Sequence, residues 1–410
     1  MKFSVALILL ILCALTGCAT AERQIADNAR TETPWGAVGL FDQQGRVMTP
    51  REQSSIGRTD LNILALSGGG ADGAFGAGLL NGWTQRGNRP TFDIVTGVST
   101  GALMASLAFL GPRYDGALTD LYTSIRNEDV YTSRGLDGLF SDSFYDTEPL
   151  KSKIASVLTE GVLAEIAAEH KKGRRLYVAT TNLDAGTITV WNMGAIAASD
   201  HADRLQLFRE ILRASAAVPG FFKPVMIQPT EASQGSQMHV DGGVKASVLV
   251  RSFMLSGPYK RKYVYVVMNG SMKLRTKQST VPANVTGIAK KTITELLRGL
   301  SYKTIYQAYV TVRRAGASFN ITYIPDEVQE IEDPLKFEPE QMRKLYEIGE
   351  SLGRSGRVWH SEPPRLEDLE RIVSSPSSGA VAQTSRLSSE ADRSEKSVLR
   401  RDVNVSGVTH

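Results

Sequence analysis

Short apolar runs and stretches of helical period alternate along most of this chain. Leu61–Ser67 is apolar and ends in glycines, as a buried strand does. Residues 74–86 then set apolar and small side chains at helical spacing. Phe92–Val95 is a second apolar run. It leads through Gly97, Ser99 and Gly101 into the small-residue apolar run Ala102–Leu110, which predicts strand, sharp turn and helix. Residues 149–171 read as helical. Leu176–Thr181 and Thr187–Trp191 read as strands on either side of an Asp184-Ala185-Gly186 turn. Leu205–Ala217 has helical period, and Tyr263–Met268 is β-branched and strand-like. Two helices fit 286–300 and 302–315, then a strand at Phe319–Ile324 and a helix over Pro339–Leu352, with Pro339 at a helix-start position. Residues 111–148 are rich in Gly, Asp, Ser, Tyr and Phe without clear period, and read as a loop near a substrate mouth. Strands separated by helices predict an α/β layered domain with a mainly parallel sheet.

The two ends of the chain differ from this middle. Lys2 precedes the apolar run Phe3–Leu12, which is too short to span a bilayer, and Leu15-Thr16-Gly17-Cys18 follows. That arrangement resembles the bacterial lipobox, in which the peptide is cut before the cysteine and the cysteine carries lipid. Residues 1–17 are then a signal peptide and Cys18 the lipidation site. An ordinary secretory signal with an incidental cysteine and a short membrane anchor are the simpler alternatives. Ala19, not an aspartate, follows Cys18, and by the lipoprotein sorting rule the resemblance implies the outer membrane, facing the periplasm. The chain's other cysteine, Cys13, lies in the removable segment, so the mature chain would hold no internal disulfide. Residues 18–58 read as a tether and 374–410 as a disordered tail, leaving a domain at 59–360. The net charge of +4 is spread over both signs with no basic block, which argues against nucleic-acid binding. Nothing in the sequence speaks to oligomeric state.

Four segments carry chemistry. Gly68-Gly69-Gly70-Ala71-Asp72-Gly73 directly follows a strand, and successive glycines let backbone N–H groups converge on an anion. A phosphate loop is the rival reading, but there is no Gly-Lys-Ser/Thr ending. Gly97-Val98-Ser99-Thr100-Gly101 lifts a serine hydroxyl out of a strand-to-helix turn, where it is a candidate nucleophile. Ala214–Phe222 is a small-residue helix end broken by Pro219-Gly220 and followed by Phe221 and Phe222. Asp241-Gly242-Gly243 sets a carboxylate before a tight turn.

In this order the four segments resemble the patatin-like phospholipase family over about residues 60–250. The resemblance implies a three-layer α/β/α fold and a lipid acyl hydrolase of phospholipase A or lysophospholipase type, with membrane lipids as substrate and no metal or cofactor. It implies Ser99 as nucleophile, Asp241 as the base that takes its proton, and backbone N–H groups of Gly68, Gly69 and Gly70 as the oxyanion hole. One departure stands out. The family often has Arg or Lys where this chain has Asp72, and an ionised carboxylate there would oppose developing negative charge. Asp72 is expected instead to cap the helix that follows, an outward-pointing side chain being the alternative.

Other residues have bland readings beside sharp ones. His239 would share a strand face with Asp241, so a Ser-His-Asp triad stays open beside a packed histidine. Ser215 reads as close helix packing. Phe221 and Phe222 read as core with some access to an acyl chain. Phe140, Phe144 and Tyr145 either line a mouth or pin a loop. The histidines show no metal-ligand spacing. Hydrolysis of a different acyl ester or thioester, and a non-catalytic lipoprotein scaffold, remain as alternative functions.

Overall fold

The computed structural model describes residues 38–39, 59–135, 141–228, 235–272, 280–328, 331 and 333–364. The signal segment, most of the tether, Cys18, Phe140 and the tail at 374–410 lie outside the described residues. The fold below belongs to one compact unit, residues 1–272 with 281–363. A second unit, 273–280 with 364–410, lies outside the described residues except for Thr280 and Pro364.

The centre is a sheet built from β1 (Asp60–Leu66), β2 (Ile94–Gly97), β3 (Arg175–Asn182), β4 (Thr187–Asn192), β5 (Val225–Ile227), β6 (Gln237–Asp241), β7 (Arg261–Ser271) and β8 (Ser318–Ile324). Five strands run parallel in the order β3-β2-β1-β7-β8. The β4 strand lies antiparallel beside β3, and the two-residue segment Val38–Gly39 extends that edge. The β5–β6 hairpin joins through β6, which pairs antiparallel with the far end of β3.

Alternation along the strands sends side chains into two separate cores. Leu64 and Leu66 of β1 enter one and Ile63 and Ala65 the other. Both faces are covered, as a parallel sheet requires. On one face lie α1 (Gly73–Gln85), α2 (Thr100–Leu110), α3 (Asp115–Ser124), α4 (Glu148–Val157), α5 (Glu160–Lys171) and α6 (Arg204–Ser215). Residues Phe253–Leu255 and α7 (Val285–Arg314) cover the other face, Ile305 and Val312 being buried from α7. The last helix, α8 (Pro339–Ser355), packs backbone against backbone on α1: a Cβ on Gly78 or Gly82 would stand 2.0 Å from carbonyl oxygens of Tyr346 and Glu350. The result is the expected three-layer α/β/α arrangement around a mainly parallel sheet.

Three local expectations change. Residues 286–300 and 302–315 form one helix, because Ser301 at the expected break stays in it, its hydroxyl donating back to the Leu297 carbonyl at 2.9 Å. Residues 149–171 instead form two helices, since Thr159 caps the second by accepting the Val162 N–H. The segment 111–148 holds α3, a short helix at Asn127–Val130 and a small pairing of Thr132–Ser133 with Tyr145–Asp146. Its helix is easy to miss because Leu118 and Tyr122 are its only buried residues.

Candidate active site

The turn from β2 to α2 is set by two glycines and one strained serine. A Cβ on Gly97 would lie 2.4 Å from the Gly101 carbonyl oxygen, and one on Gly101 would lie 2.4 Å from that of Leu66. Only a bare backbone permits this crossing of strand and helix. Ser99 takes φ 55° and ψ −127°, and it is the one non-glycine residue with positive φ among the described residues. Such a conformation costs about 1–3 kcal/mol and persists where the surroundings enforce it. It places Ser99 at the N-terminus of α2, where the helix dipole favours negative charge.

Asp241 reaches this turn through the sheet. Along β3, Val178 pairs with Gly97 and Thr180 pairs with Asp241, so β6 enters the sheet where β2 leaves it. Gly242 lets the chain turn there, since a Cβ would stand 2.5 Å from the Ala179 carbonyl oxygen. Asp241 and Ser99 line the same cavity, near enough for the serine hydroxyl to favour the ionised carboxylate, and the Asp241 carboxylate accepts the Gly243 N–H at 2.7 Å. Burial pushes its carboxyl up to about 6, against these two groups, which favour the ionised form. A carboxylate so shifted is a better base near neutral pH than an exposed one.

His239 is no part of this pair. Its Nδ1 lies 2.9 Å from Thr180 Oγ1, which also accepts the Trp191 indole N–H at 2.8 Å. Burial holds the imidazole down at about 4, so it stays neutral at ordinary pH. The triad reading is therefore replaced by a packed histidine between β3 and β6.

The glycine loop passes directly over Ser99. A Cβ on Gly68 would stand 3.1 Å from the Ser99 Cβ. The Gly68 N–H, however, already donates to the Ser247 carbonyl at 3.2 Å, so of the three expected oxyanion donors Gly68 is engaged elsewhere. Among the described residues no acceptor meets the N–H groups of Gly69 and Gly70. Gly70 has φ 58°, and Asn269 braces the loop from the end of β7. Its side-chain amide donates to the Ser67 carbonyl at 2.8 Å, and its N–H donates to Ser67 Oγ at 2.7 Å. Asn269 is a residue that the sequence reading missed; its only trace there is an Asn-Gly pair closing a β-branched strand.

Asp72 stands at the N-cap position of α1 but makes no capping hydrogen bond through its side chain. It is buried, and its Oδ1 accepts the Ile331 N–H at 3.2 Å. Nearby, the Pro334 carbonyl accepts the Ala71 N–H at 2.8 Å. The expected cap is thus corrected: the carboxylate ties the loop to a distant segment of chain, because its burial turns it away from the helix's own N–H groups.

Ser99, Asp241 and the glycine loop line one cavity of about 210 Å³. Much of its wall is apolar: Leu103, Leu121, Ile125, Val130, Val218, Phe221, Phe222 and Phe337, with Ile293 and Leu297 from α7. Phe221 and Phe222 are both core and wall, whereas Phe144 and Tyr145 pack behind them, Phe144 on Phe221 at 6.2 Å and Tyr145 on Phe222 at 6.3 Å between ring centres. A buried nucleophile and base at the side of an apolar cavity can bind a hydrocarbon chain and attack an ester at its head. Among the described residues no group of His, Cys, Asp or Glu has metal-binding geometry.

The α6 C-terminus also meets this site. Ser215 Oγ accepts the Ser99 N–H at 3.0 Å and donates to the Ala179 carbonyl at 2.7 Å, which is more than the close packing expected of it. The Asp241 N–H donates to the Ala217 carbonyl at 2.9 Å.

Comparison with known proteins agrees with the site's order along the chain. Residues 64–254 match the family described as patatin-like phospholipase, a span that holds the glycine loop, Ser99 and Asp241. No curated protein matches the sequence. Among solved structures, VipD from Legionella pneumophila is similar at 13% identity and a TM-score of 0.39, over 81% of this chain and 71% of that one. The type III effector protein ExoU is similar at 12% identity and a TM-score of 0.34, over 87% of this chain and 69% of that one.

Proposed function

We propose that this chain, whose residues 64–254 match the patatin-like phospholipase family, is a phospholipase A or lysophospholipase that cleaves acyl esters through a Ser99–Asp241 dyad. The observation that carries the proposal is the strained, buried Ser99 and the buried Asp241 carboxylate side by side on the wall of one apolar cavity. Asp241 takes the hydroxyl proton as Ser99 Oγ attacks the acyl carbonyl. The tetrahedral oxyanion is met by the Gly69 and Gly70 N–H groups, donors of a kind worth roughly 3 kcal/mol each. As the intermediate collapses, protonated Asp241 gives its proton to the leaving alkoxide, and an acyl-serine remains. Water, deprotonated by Asp241, then attacks the acyl-serine; the proton returns to Ser99 Oγ as the fatty acid leaves.

The same proposal gives the protein a place. Cys18 carries lipid and anchors the chain at the outer membrane facing the periplasm, beside its lipid substrates. The support is the sequence Leu15–Cys18 after an apolar run, with Ala19 next. More than one acyl chain on the terminus makes such anchoring stable.

Mass spectrometry of the products released from mixed membrane lipids, by wild type and by Ser99→Ala, tests the activity. Free fatty acid and lysolipid from the wild type alone are the expected result. Identical product spectra from the two proteins would sink the proposal.

A further inference from the structure

The end of α6 touches both reactive residues, through different atoms. Ser215 Oγ holds the Ser99 N–H at 3.0 Å, and the Ala217 carbonyl holds the Asp241 N–H at 2.9 Å. Ser215 is fully buried, whereas the cavity wall is formed by its neighbours Ala216 and Val218. Its hydroxyl therefore meets protein and not substrate.

The direction of these bonds is fixed. A serine hydroxyl has one proton, and here it is given to the Ala179 carbonyl at 2.7 Å. What remains toward Ser99 is a lone pair, which suits only a donor. The Ser99 N–H needs such an acceptor, because the turn that gives Ser99 φ 55° points this group away from the α2 hydrogen-bond ladder. Ala179 is also the residue of β3 between Val178, which pairs with Gly97, and Thr180, which pairs with Asp241. Ser215 is thus fastened to the point on the sheet midway between the strands that bring in the nucleophile and the base.

We propose that Ser215 is a positioning residue that sets the spacing of the Ser99 hydroxyl and the Asp241 carboxylate by clamping the Ser99 backbone to β3. The inference rests on the acyl-hydrolase reading of the dyad. Removing the hydroxyl releases the Ser99 N–H and leaves the cavity wall unchanged. The chemical step weakens, and substrate binding does not. A Ser99 hydroxyl set farther from Asp241 also favours the ionised carboxylate less, so the acid limb of the pH profile moves to higher pH.

The test is Ser215→Ala, a change that keeps the helix, assayed on a soluble ester and by the rate of fluorophosphonate labelling of Ser99. The expected result is a fall in kcat by about 10- to 100-fold with KM within about twofold, an equal slowing of labelling and an upward shift of the acid limb. Ser106→Ala is the control: this serine is equally buried, its hydroxyl has no hydrogen-bond partner among the described residues, and its loss should leave kinetics unchanged. Wild-type kcat and acid limb in Ser215→Ala would overturn the proposal. So would a loss of kcat that only follows the folded fraction measured by circular dichroism. Should the wild type turn over no ester, the acyl-hydrolase reading fails separately. Amide hydrogen exchange at Ser99 then decides the clamp: faster exchange in Ser215→Ala supports it, and unchanged exchange overturns it.

Discussion

Asp241 lies opposite Thr180 on β3, two residues past Val178, the partner of Gly97. One strand therefore serves as a ruler for the whole site. Its first half pairs in parallel with β2, which delivers Ser99, and its second half pairs antiparallel with β6, which delivers Asp241. Residues far apart in sequence meet because two strands end against each other along the edge of a third. The closeness of the dyad is thus a consequence of sheet register, and a register slip on either side would separate the two groups.

Loss of either group should remove activity. Ser99→Ala deletes the nucleophile, and Asp241→Asn deletes the base while keeping an oxygen to accept the Gly243 N–H. Turnover of any ester should fall by about a thousandfold or more in each, a scale set by losses in other nucleophile–base units. Asp241→Asn should also be more stable than wild type at pH 8. Burial raises the Asp241 carboxyl to about 6, so the native state binds this proton more tightly than the unfolded chain does, and the group lowers stability as pH rises from about 4 to 6. The asparagine avoids that burial of charge, for a gain on the order of 1–3 kcal/mol at pH 8 that disappears below pH 4. Denaturant midpoints at the two pH values check it, and a less stable Asp241→Asn at pH 8 would contradict the assigned burial.

The same carboxyl predicts how rate depends on pH. The base must be ionised to accept the Ser99 proton, so kcat/KM should rise with pH through a single titration near 6 and then level. Histidine makes no contribution: His239, held near 4 and hydrogen-bonded to Thr180, should leave this limb in place when changed to Gln. An acid limb that moves with His239→Gln would restore the histidine relay. A pH–rate series on a soluble ester in wild type and variant separates the two.

Two glycines should fail in different ways when given a methyl group. At Gly101 the added Cβ meets the backbone carbonyl oxygens of Leu66 and Ser67 at 2.4 and 2.5 Å, and neither can move without breaking β1. Gly101→Ala should lose several kcal/mol of stability, on the order of other overpacked cores or worse. At Gly68 the nearest atom is the Ser99 Cβ at 3.1 Å, so the fold can give by a few tenths of an ångström but the nucleophile must shift. Gly68→Ala should melt within a few degrees of wild type yet lose most of its turnover. Thermal melts beside esterase rates make the comparison, and equal activity in Gly68→Ala would show that the loop does not bear on Ser99.

How much of this was legible in the sequence depends on how local each signal is. The glycine loop, the Gly97–Gly101 turn and Asp241-Gly242-Gly243 are written in contiguous residues because each needs a bare backbone at a fixed offset. The parallel sheet was legible from β-branched runs such as Tyr263–Met268. The α3 helix was not, since its two buried residues give too weak a period. Nor was the unity of α7, because Ser301 is a weak helix former whose hydroxyl nonetheless bonds back to the Leu297 carbonyl one turn earlier. The roles of Asn269, of Ser215 and of the Ile331 N–H are set by contacts across the fold. No spacing rule could show that Gly68 would spend its N–H on Ser247.

Asp72 gives the last prediction. Its carboxylate is buried in the cavity wall next to the glycine loop and accepts the Ile331 N–H. Two consequences of this placement can be separated. As an acceptor it supports the fold: Asp72→Ala leaves a buried N–H unpaired and should cost about 1–3 kcal/mol, whereas Asp72→Asn keeps an oxygen in place and should cost less. Asp72→Asn also removes whatever charge the carboxyl carries beside the Gly69 and Gly70 N–H groups, and turnover faster than wild type at unchanged stability is the outcome expected of that removal, while Asp72→Ala loses stability. Denaturant unfolding and kcat on one soluble ester, measured on both variants, distinguish the two roles. If Asp72→Asn were instead slower at unchanged stability, the carboxylate would be holding the loop in its working geometry, and its charge would be part of the catalytic arrangement rather than a load upon it.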